Sequence, residues 1–276
     1  MTDAVCERLF AALLPGSAEV AVMAGDAGTG ALTDAERAYI AGAVPKRVGE
    51  FAAARVCARR AIGRVRGVGG ASGGVADLAP DLVADLVPDL VPGPERDVTW
   101  PAGLVGAITH CAGLRAAVVA PSARVLSLGI DAEVNEALPQ DAWSMVSVPG
   151  EEQMLERLGG CAGVNLDRLL FSAKESIFKA WFPLTRRWLD FTECRLTVRV
   201  DSGDGVASGD GAASGDGAWA DGLALPVASG TFRGDFLVPG IQVPASGGSP
   251  EGLVTGLDGR WCATESHLLT AVSLSG

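Results

Sequence analysis

A mixed helix-and-strand chain, arranged as two domains or two similar halves, is predicted by three observations. The 276 residues exceed the usual single domain, so two cores are expected, one for each half. A strand, turn and strand pattern from Val105 to Ala120 has a similar partner near the end, Arg260 to Ala263 and Leu268 to Val272, which hints at a duplicated architecture. Helix-like runs at 46–66 and at Phe171 to Trp181 complete the mixture.

Composition narrows the function classes. Nearly half the residues are apolar, as a globular chain requires, and the net charge is −11. Nucleic acid and anionic membranes call for a basic surface and are not expected as partners. No run approaches eighteen uninterrupted apolar residues, and Met1-Thr2-Asp3-Ala4 lacks the regions of a secretory signal, so a cytoplasmic protein is expected. Six cysteines, at 6, 57, 111, 161, 194 and 262, form no Cys-x-x-Cys pair, and His110 and His267 are the only histidines. Structural zinc, a disulfide scaffold and a histidine-rich metal centre are therefore not expected. The glycines at 67 to 74 follow no predicted strand, which weakens serine-hydrolase and dinucleotide readings.

The elements follow in chain order. Thr33 with Glu36 reads as a capping box opening a helix. Positions 46–66 carry Lys46, Arg47, Arg55, Arg59, Arg60, Arg64 and Arg66 against the single acid Glu50. Arg55 and Arg59 share a helical face, so the run is either a phosphate grip built on guanidinium forks or a solvated basic helix. The Asp-Leu-Val-Pro-like repeat between Asp77 and Pro92 cannot be a continuous helix because of its prolines, and 67–95 reads as a low-complexity insertion. The hairpin of 105–120 places Thr109 and His110 at its tip, where a histidine is exposed and able to donate to an anion. Val125 to Ile130 is apolar and branched enough for a buried strand, and Asp131 and Glu133, two apart, then point to one face. Two carboxylates there repel unless a proton or cation lies between them, and hard oxygens suit Mg²⁺. A solvated strand end or a salt bridge gives the same pattern.

In the helix around 171–181, Leu170, Phe171, Ile177, Phe178, Trp181 and Phe182 form an apolar stripe with Lys174 in its middle and Glu175 at its edge. A desolvated ammonium costs several kcal/mol without a partner, so Lys174 must snorkel outward or meet an anion. Glu175 and Lys179 are spaced to pair at about 0.3 kcal/mol. Repeated Ser-Gly-Asp-Gly segments make 201–220 a flexible loop, and much of the negative charge lies in the two repeat stretches rather than on the folded surface.

Taken in order, Lys46-Arg47 with Glu50-Phe51 and Arg55-x-Cys57-Ala58-Arg59, Trp100-Pro101, Thr109-His110-Cys111, Gly129-Ile130-Asp131-Ala132-Glu133 and Phe171-Ser172-Ala173-Lys174-Glu175 with Lys179 carry a resemblance over most of the chain. It resembles the Sfp-type 4'-phosphopantetheinyl transferases, and within them the enterobactin-synthetase-component-D-like group common in actinobacteria. The resemblance implies an α+β fold of two similar α/β halves related by a pseudo-twofold axis, monomeric, with residues 1–122 and 123–276 as the halves and the boundary near Pro121 to Arg124. It implies transfer of the phosphopantetheine arm of coenzyme A to a serine of an apo acyl or peptidyl carrier protein, releasing adenosine 3',5'-bisphosphate. Arg47, Arg55 and His110 would hold the 3'-phosphate, with Thr109 near the same phosphates and Arg96 the nearest candidate for a further coenzyme contact. Asp131, Glu133 and Glu175 would bind Mg²⁺, with the Ala132 carbonyl nearby; Lys174 would bind the pyrophosphate, Lys179 would support it, and Glu175 would take the serine proton. Phe171 stands where many members carry tryptophan, and Arg96 where close relatives carry lysine. Two rival readings are a Mg²⁺-dependent nucleotide phosphohydrolase using water and a non-catalytic module that binds carrier protein.

Overall fold

Two antiparallel sheets and the helices laid on them position the site. A computed structural model describes residues 2–67, 89–95, 97–159, 161, 163–201, 226–243 and 252–275. Most of the expected insertion and loop, at 68–88 and 202–225, lies outside the described residues, as does Arg96. The first sheet has the order β1-β3-β2, built from Glu19–Met23, Leu114–Pro121 and Leu104–Cys111. The second has the order β4-β10-β9-β6-β5, from Val125–Val134, His267–Ser275, Gly256–Ala263, Ala228–Phe236 and Cys194–Val200. A short pair, β7 (Ile241–Val243) and β8 (Gly252–Val254), stands apart.

The duplication is one of succession. In the first half a strand (β1), a long helix (α3, Pro45–Val65) and a hairpin (β2 and β3) follow one another, and the last strand returns to pair with the first. In the second half β4, the long helix α6 (Leu166–Thr185) and the hairpin β9 and β10 do the same, with β6 and β5 added at the far edge. Both predicted hairpins form; the tip of the first is Ala112-Gly113, where the φ of 77° at Gly113 is a conformation glycine adopts without steric cost. The fold is α+β.

Sequence patterns account for the helices. Cys6, Leu9, Phe10 and Leu13 fall on one side of α1 (Asp3–Leu13). The Thr33 and Glu36 capping box opens α2 (Asp34–Ile40) as expected. Ala58 and Ala61 let α3 lie close to the first sheet, against Ala21, Ala117 and Val119, while Ala52 packs with Leu32 and Ile40. Two short helices, α4 (Gln140–Val146) and α5 (Glu151–Arg157), lead from β4 towards α6.

The cores depart from the expectation of one for each half. One cluster lies between α6 and the second sheet, and another between α3 and the first. A third joins α1 to both sheets, uniting Phe10, Val20 and Val118 with Ile130, Cys262 and Ala271. The residues that end the proline-bearing repeat also differ from the expected insertion. Leu90 is fully buried, its N–H donates to Glu36 Oε1 and its carbonyl accepts from Arg55 Nε, because an apolar side chain and two satisfied backbone groups hold it in place.

Candidate active site

Close approach of α6 to β4 builds the acidic side of the site. A Cβ on Gly129 would lie 1.8 Å from the Ser176 carbonyl, so only glycine permits the contact, and Ser127 Oγ donates to the Ala180 carbonyl at 2.7 Å. Asp131 is thereby buried, at 4% exposure, and both its oxygens are held. Oδ1 accepts from Thr109 Oγ1 at 3.0 Å and from Lys179 Nζ at 2.6 Å; Oδ2 accepts from Ser172 Oγ at 2.8 Å. Glu133 accepts from Arg168 Nη1 at 3.2 Å, while the same guanidinium donates to the carbonyls of Glu136 and Ala137. Burial, and then the charge of Asp131, push the Glu133 carboxyl up to about 7, against the pull of Arg168 and Lys179. Burial raises Glu175 as well, with Asp131 adding to it and Lys179 opposing.

Thr109 is not at the hairpin tip, which is Ala112-Gly113. It is 2% exposed, and its hydroxyl joins the two halves where the edge strands β2 and β4 meet, donating to Asp131 and accepting the Ala132 N–H at 3.1 Å. In an extended strand a residue's N–H and C=O point to the same side, so the Ala132 carbonyl also looks towards β2.

Lys174 requires a correction. It is 2% exposed and turned away from the carboxylates of β4: its ammonium donates to Glu151 Oε2 at 2.9 Å, to the Val146 carbonyl at 2.8 Å and to the Phe191 carbonyl at 2.9 Å. All three donors are used, so the anion demanded by its place in the apolar stripe is Glu151 and not a pyrophosphate. Lys179 does not pair with Glu175 either, since Asp131 offers a buried carboxylate at 2.6 Å.

A cleft of about 640 Å³ joins this region to the basic helix of the first half. Arg47, Arg55 and His110 line it from one side, Glu175, Phe178, Lys179 and Trp188 from the other. Arg47 Nη1 lies 3.3 Å from His110 Nε2, and burial lowers the imidazole below its ordinary value, with Arg47 acting in the same direction. The Arg55 guanidinium sits 3.9 Å over the Phe51 ring, and burial lowers it to about 10, partly offset by Glu36. A cation so desolvated gains by meeting an anion. Arg59 is excluded from the grip: it is buried against Glu36 at 2.5 Å and donates to the Ala31 carbonyl.

The hard-oxygen donors Asp131 and Glu133 fit a divalent cation, which would offset both the burial and the repulsion by Asp131 that raise Glu133. The expected ring of three is not gathered, however. Among the described residues no group of three His, Cys, Asp or Glu side chains is placed to hold a metal, and the Lys179 ammonium lies on Asp131. No described helix is long and apolar enough to cross a membrane. Sequence reasoning missed Ser172, Arg168 and Glu151. Ser172 stands one turn before Ser176 on the β4-facing side of α6, a spacing that was legible; Glu151 had no signal near Lys174.

Comparison with known proteins identifies the family. Residues 35–120 match the 4'-phosphopantetheinyl transferase N-terminal domain and residues 127–217 the 4'-phosphopantetheinyl transferase superfamily. The chain is 40% identical over 241 residues to 4'-phosphopantetheinyl transferase Svp of Streptomyces mobaraensis, covering 87% of this chain and 77% of that protein. It is 36% identical over 239 residues to 4'-phosphopantetheinyl transferase Npt of Nocardia iowensis, covering 87% of each. With 4'-phosphopantetheinyl transferase PptT of Mycobacterium tuberculosis it shares 34% over 239 residues, 87% of this chain and 84% of that one. A cleft with guanidinium groups on one wall and the half-buried Glu175 with Lys179 on the other, spanning two halves that each match their own domain of one family, is accounted for by descent: the chain belongs to the 4'-phosphopantetheinyl transferase superfamily.

Proposed function

We propose that this chain transfers the 4'-phosphopantetheine arm of coenzyme A to a serine of an apo acyl or peptidyl carrier protein, acting as a cytoplasmic monomer. The observation that carries the reading is the cleft itself, which offers Arg47, Arg55 and His110 at one wall and Glu175 and Lys179, backed by Asp131, at the other. Arg55 and Arg47, with His110, bind the 3'-phosphate of the coenzyme. Lys179 is the ammonium available to the pyrophosphate, the part expected of Lys174. Glu175, its carboxyl raised by burial, accepts the serine proton. The serine Oγ forms a bond to the β-phosphorus, and the bond from that phosphorus to the bridging oxygen breaks, so adenosine 3',5'-bisphosphate leaves with the electron pair. Asp131 and Glu133 would hold Mg²⁺, with the Ala132 carbonyl beside them, and the ion would neutralise the charge on the phosphoryl oxygens.

The test is intact-mass measurement of an apo carrier protein incubated with this protein, Mg²⁺ and coenzyme A. One added phosphopantetheine per carrier, lost with chelator, is expected. Consumption of coenzyme A without carrier would establish a phosphohydrolase instead, and carrier binding without a mass change a non-catalytic module.

A further inference from the structure

The second sheet has two faces of opposite character. Towards α6 it presents Leu196, Val198, Phe232, Leu257 and Trp261, all in the core. On its outer face Thr197, Arg199, Thr231, Arg233, Asp258 and Arg260 line a groove of about 680 Å³, within the ordinary range of small-molecule sites. No residue of this groove belongs to the coenzyme cleft.

Strand register orders its charges. Arg199 on β5 is opposite Thr231 on β6, which is opposite Arg260 on β9, so one row across three strands reads arginine, threonine, arginine. Two strand spacings separate the arginine stems by about 10 Å on one side of the sheet. The adjacent row is Thr197, Arg233 and Asp258. There Arg233 donates to Asp258 and to Asp235 at 2.8 Å each, and is neutralised. Arg199 and Arg260 have no ion pair and no side-chain hydrogen bond among the described residues. The groove, with Asp235 at its side, therefore sets three arginines against two aspartates, both of them on Arg233, although the chain as a whole carries −11. Like charges sharing a row on one face repel, and an anion between them relieves the repulsion.

We propose that this outer face is a second binding site, for a phosphate-bearing ligand clasped by Arg199 and Arg260 with the Thr231 hydroxyl between them. Two guanidinium forks with the Thr197, Thr231 and Ser273 hydroxyls supply more donors than a planar carboxylate can accept, whereas a tetrahedral phosphate accepts in several directions. The chemistry is common to inorganic phosphate and to the terminal phosphate of a nucleotide. The site is independent of the transferase reading.

Isothermal titration with inorganic phosphate and with adenosine 3',5'-bisphosphate tests it, using the whole protein and the variants R199Q/R260Q, R233Q and R55A. Inorganic phosphate should bind the wild type, R55A and R233Q alike and R199Q/R260Q at least about tenfold more weakly, with carrier modification by R199Q/R260Q unchanged. The Trp261 indole N–H, which donates to the Arg199 carbonyl at 3.1 Å from the opposite face, should shift in NMR spectra as phosphate is added to the wild type and stay still in R199Q/R260Q. If the nucleotide is the source, the wild type binds two per chain and R199Q/R260Q one. Equal phosphate affinity in wild type and R199Q/R260Q, or no binding by the wild type up to about 10 mM, overturns the proposal.

Discussion

Lys174 and Lys179 stand on the same helix and each meets a carboxylate within hydrogen-bond distance, Glu151 at 2.9 Å and Asp131 at 2.6 Å. Lys174 has its remaining donors bound to the carbonyls of Val146 and Phe191 and no access to solvent. It ties α6 to the end of α4 and to the turn before β5, while Glu151 accepts the N–H groups of Val148 and Leu196. Lys179 is a quarter exposed, lines the cleft and uses one contact. The same pair of residue types is thus a fixed joint in one place and an available cation in the other. What separates them is the number of donors already satisfied, not the strength of the ion pair.

The contrast breaks most visibly at Lys174. Lys174→Met leaves Glu151 charged and buried without its partner, which costs about 3–5 kcal/mol of stability; urea denaturation should record that loss, and the double change with Glu151→Leu should recover most of it. A loss below about 1 kcal/mol would dissolve the distinction. On the cleft side, Glu175→Gln should leave coenzyme binding nearly intact and lower turnover at least about a hundredfold, read by the rate of carrier mass gain.

Lys179→Met sharpens the comparison directly. Stability should fall less than in Lys174→Met, because Asp131 keeps the hydroxyls of Thr109 and Ser172 and Lys179 is partly exposed, yet turnover should fall about tenfold or more as the pyrophosphate loses its ammonium. Unchanged kinetics with a large drop in melting temperature would make Lys179 a second Lys174. Arg55→Ala, across the cleft, should raise the KM for coenzyme A about tenfold and spare dephospho-coenzyme A, which lacks the 3'-phosphate; equal effects on both would remove it from that contact.

A pH dependence concerns Glu133, held up to about 7 by burial and by Asp131. A carboxyl raised above its unfolded value of 4.5 binds its proton more tightly when folded, so this contribution is present in full below pH 4.5 and is lost as pH climbs through about 7. Melting temperatures of the metal-free protein should therefore fall between about pH 5 and 7.5. Glu133→Gln, or saturating Mg²⁺, should flatten that slope; a parallel slope in the variant would assign it elsewhere.

Much of the fold was legible because it rests on local patterns. The capping box at Thr33, the amphipathic α6, both hairpins and the buried strand at 125–133 are set by residues near one another in the chain. The site was legible as residue types: Asp131 and Glu133 on one strand, Arg47 and Arg55 on one helix, His110 on a hairpin. Errors arose wherever a side chain's partner came from far along the chain. Arg59 looked as available as Arg55 until Glu36 folded beneath it, and Thr109 was turned to Asp131 by the meeting of two sheets.

The amino-acid order alone determined where the two long helices, the strand from Val125 and the two hairpins form, that a lysine in an apolar stripe needs an anion, and that two carboxylates two apart on a strand share a face; these follow from backbone period and from the cost of desolvating charge. Tertiary structure alone decided which anion each lysine meets and which arginines stay free for a ligand. Pairing of buried charges depends on distances between segments dozens of residues apart, and no local pattern encodes those.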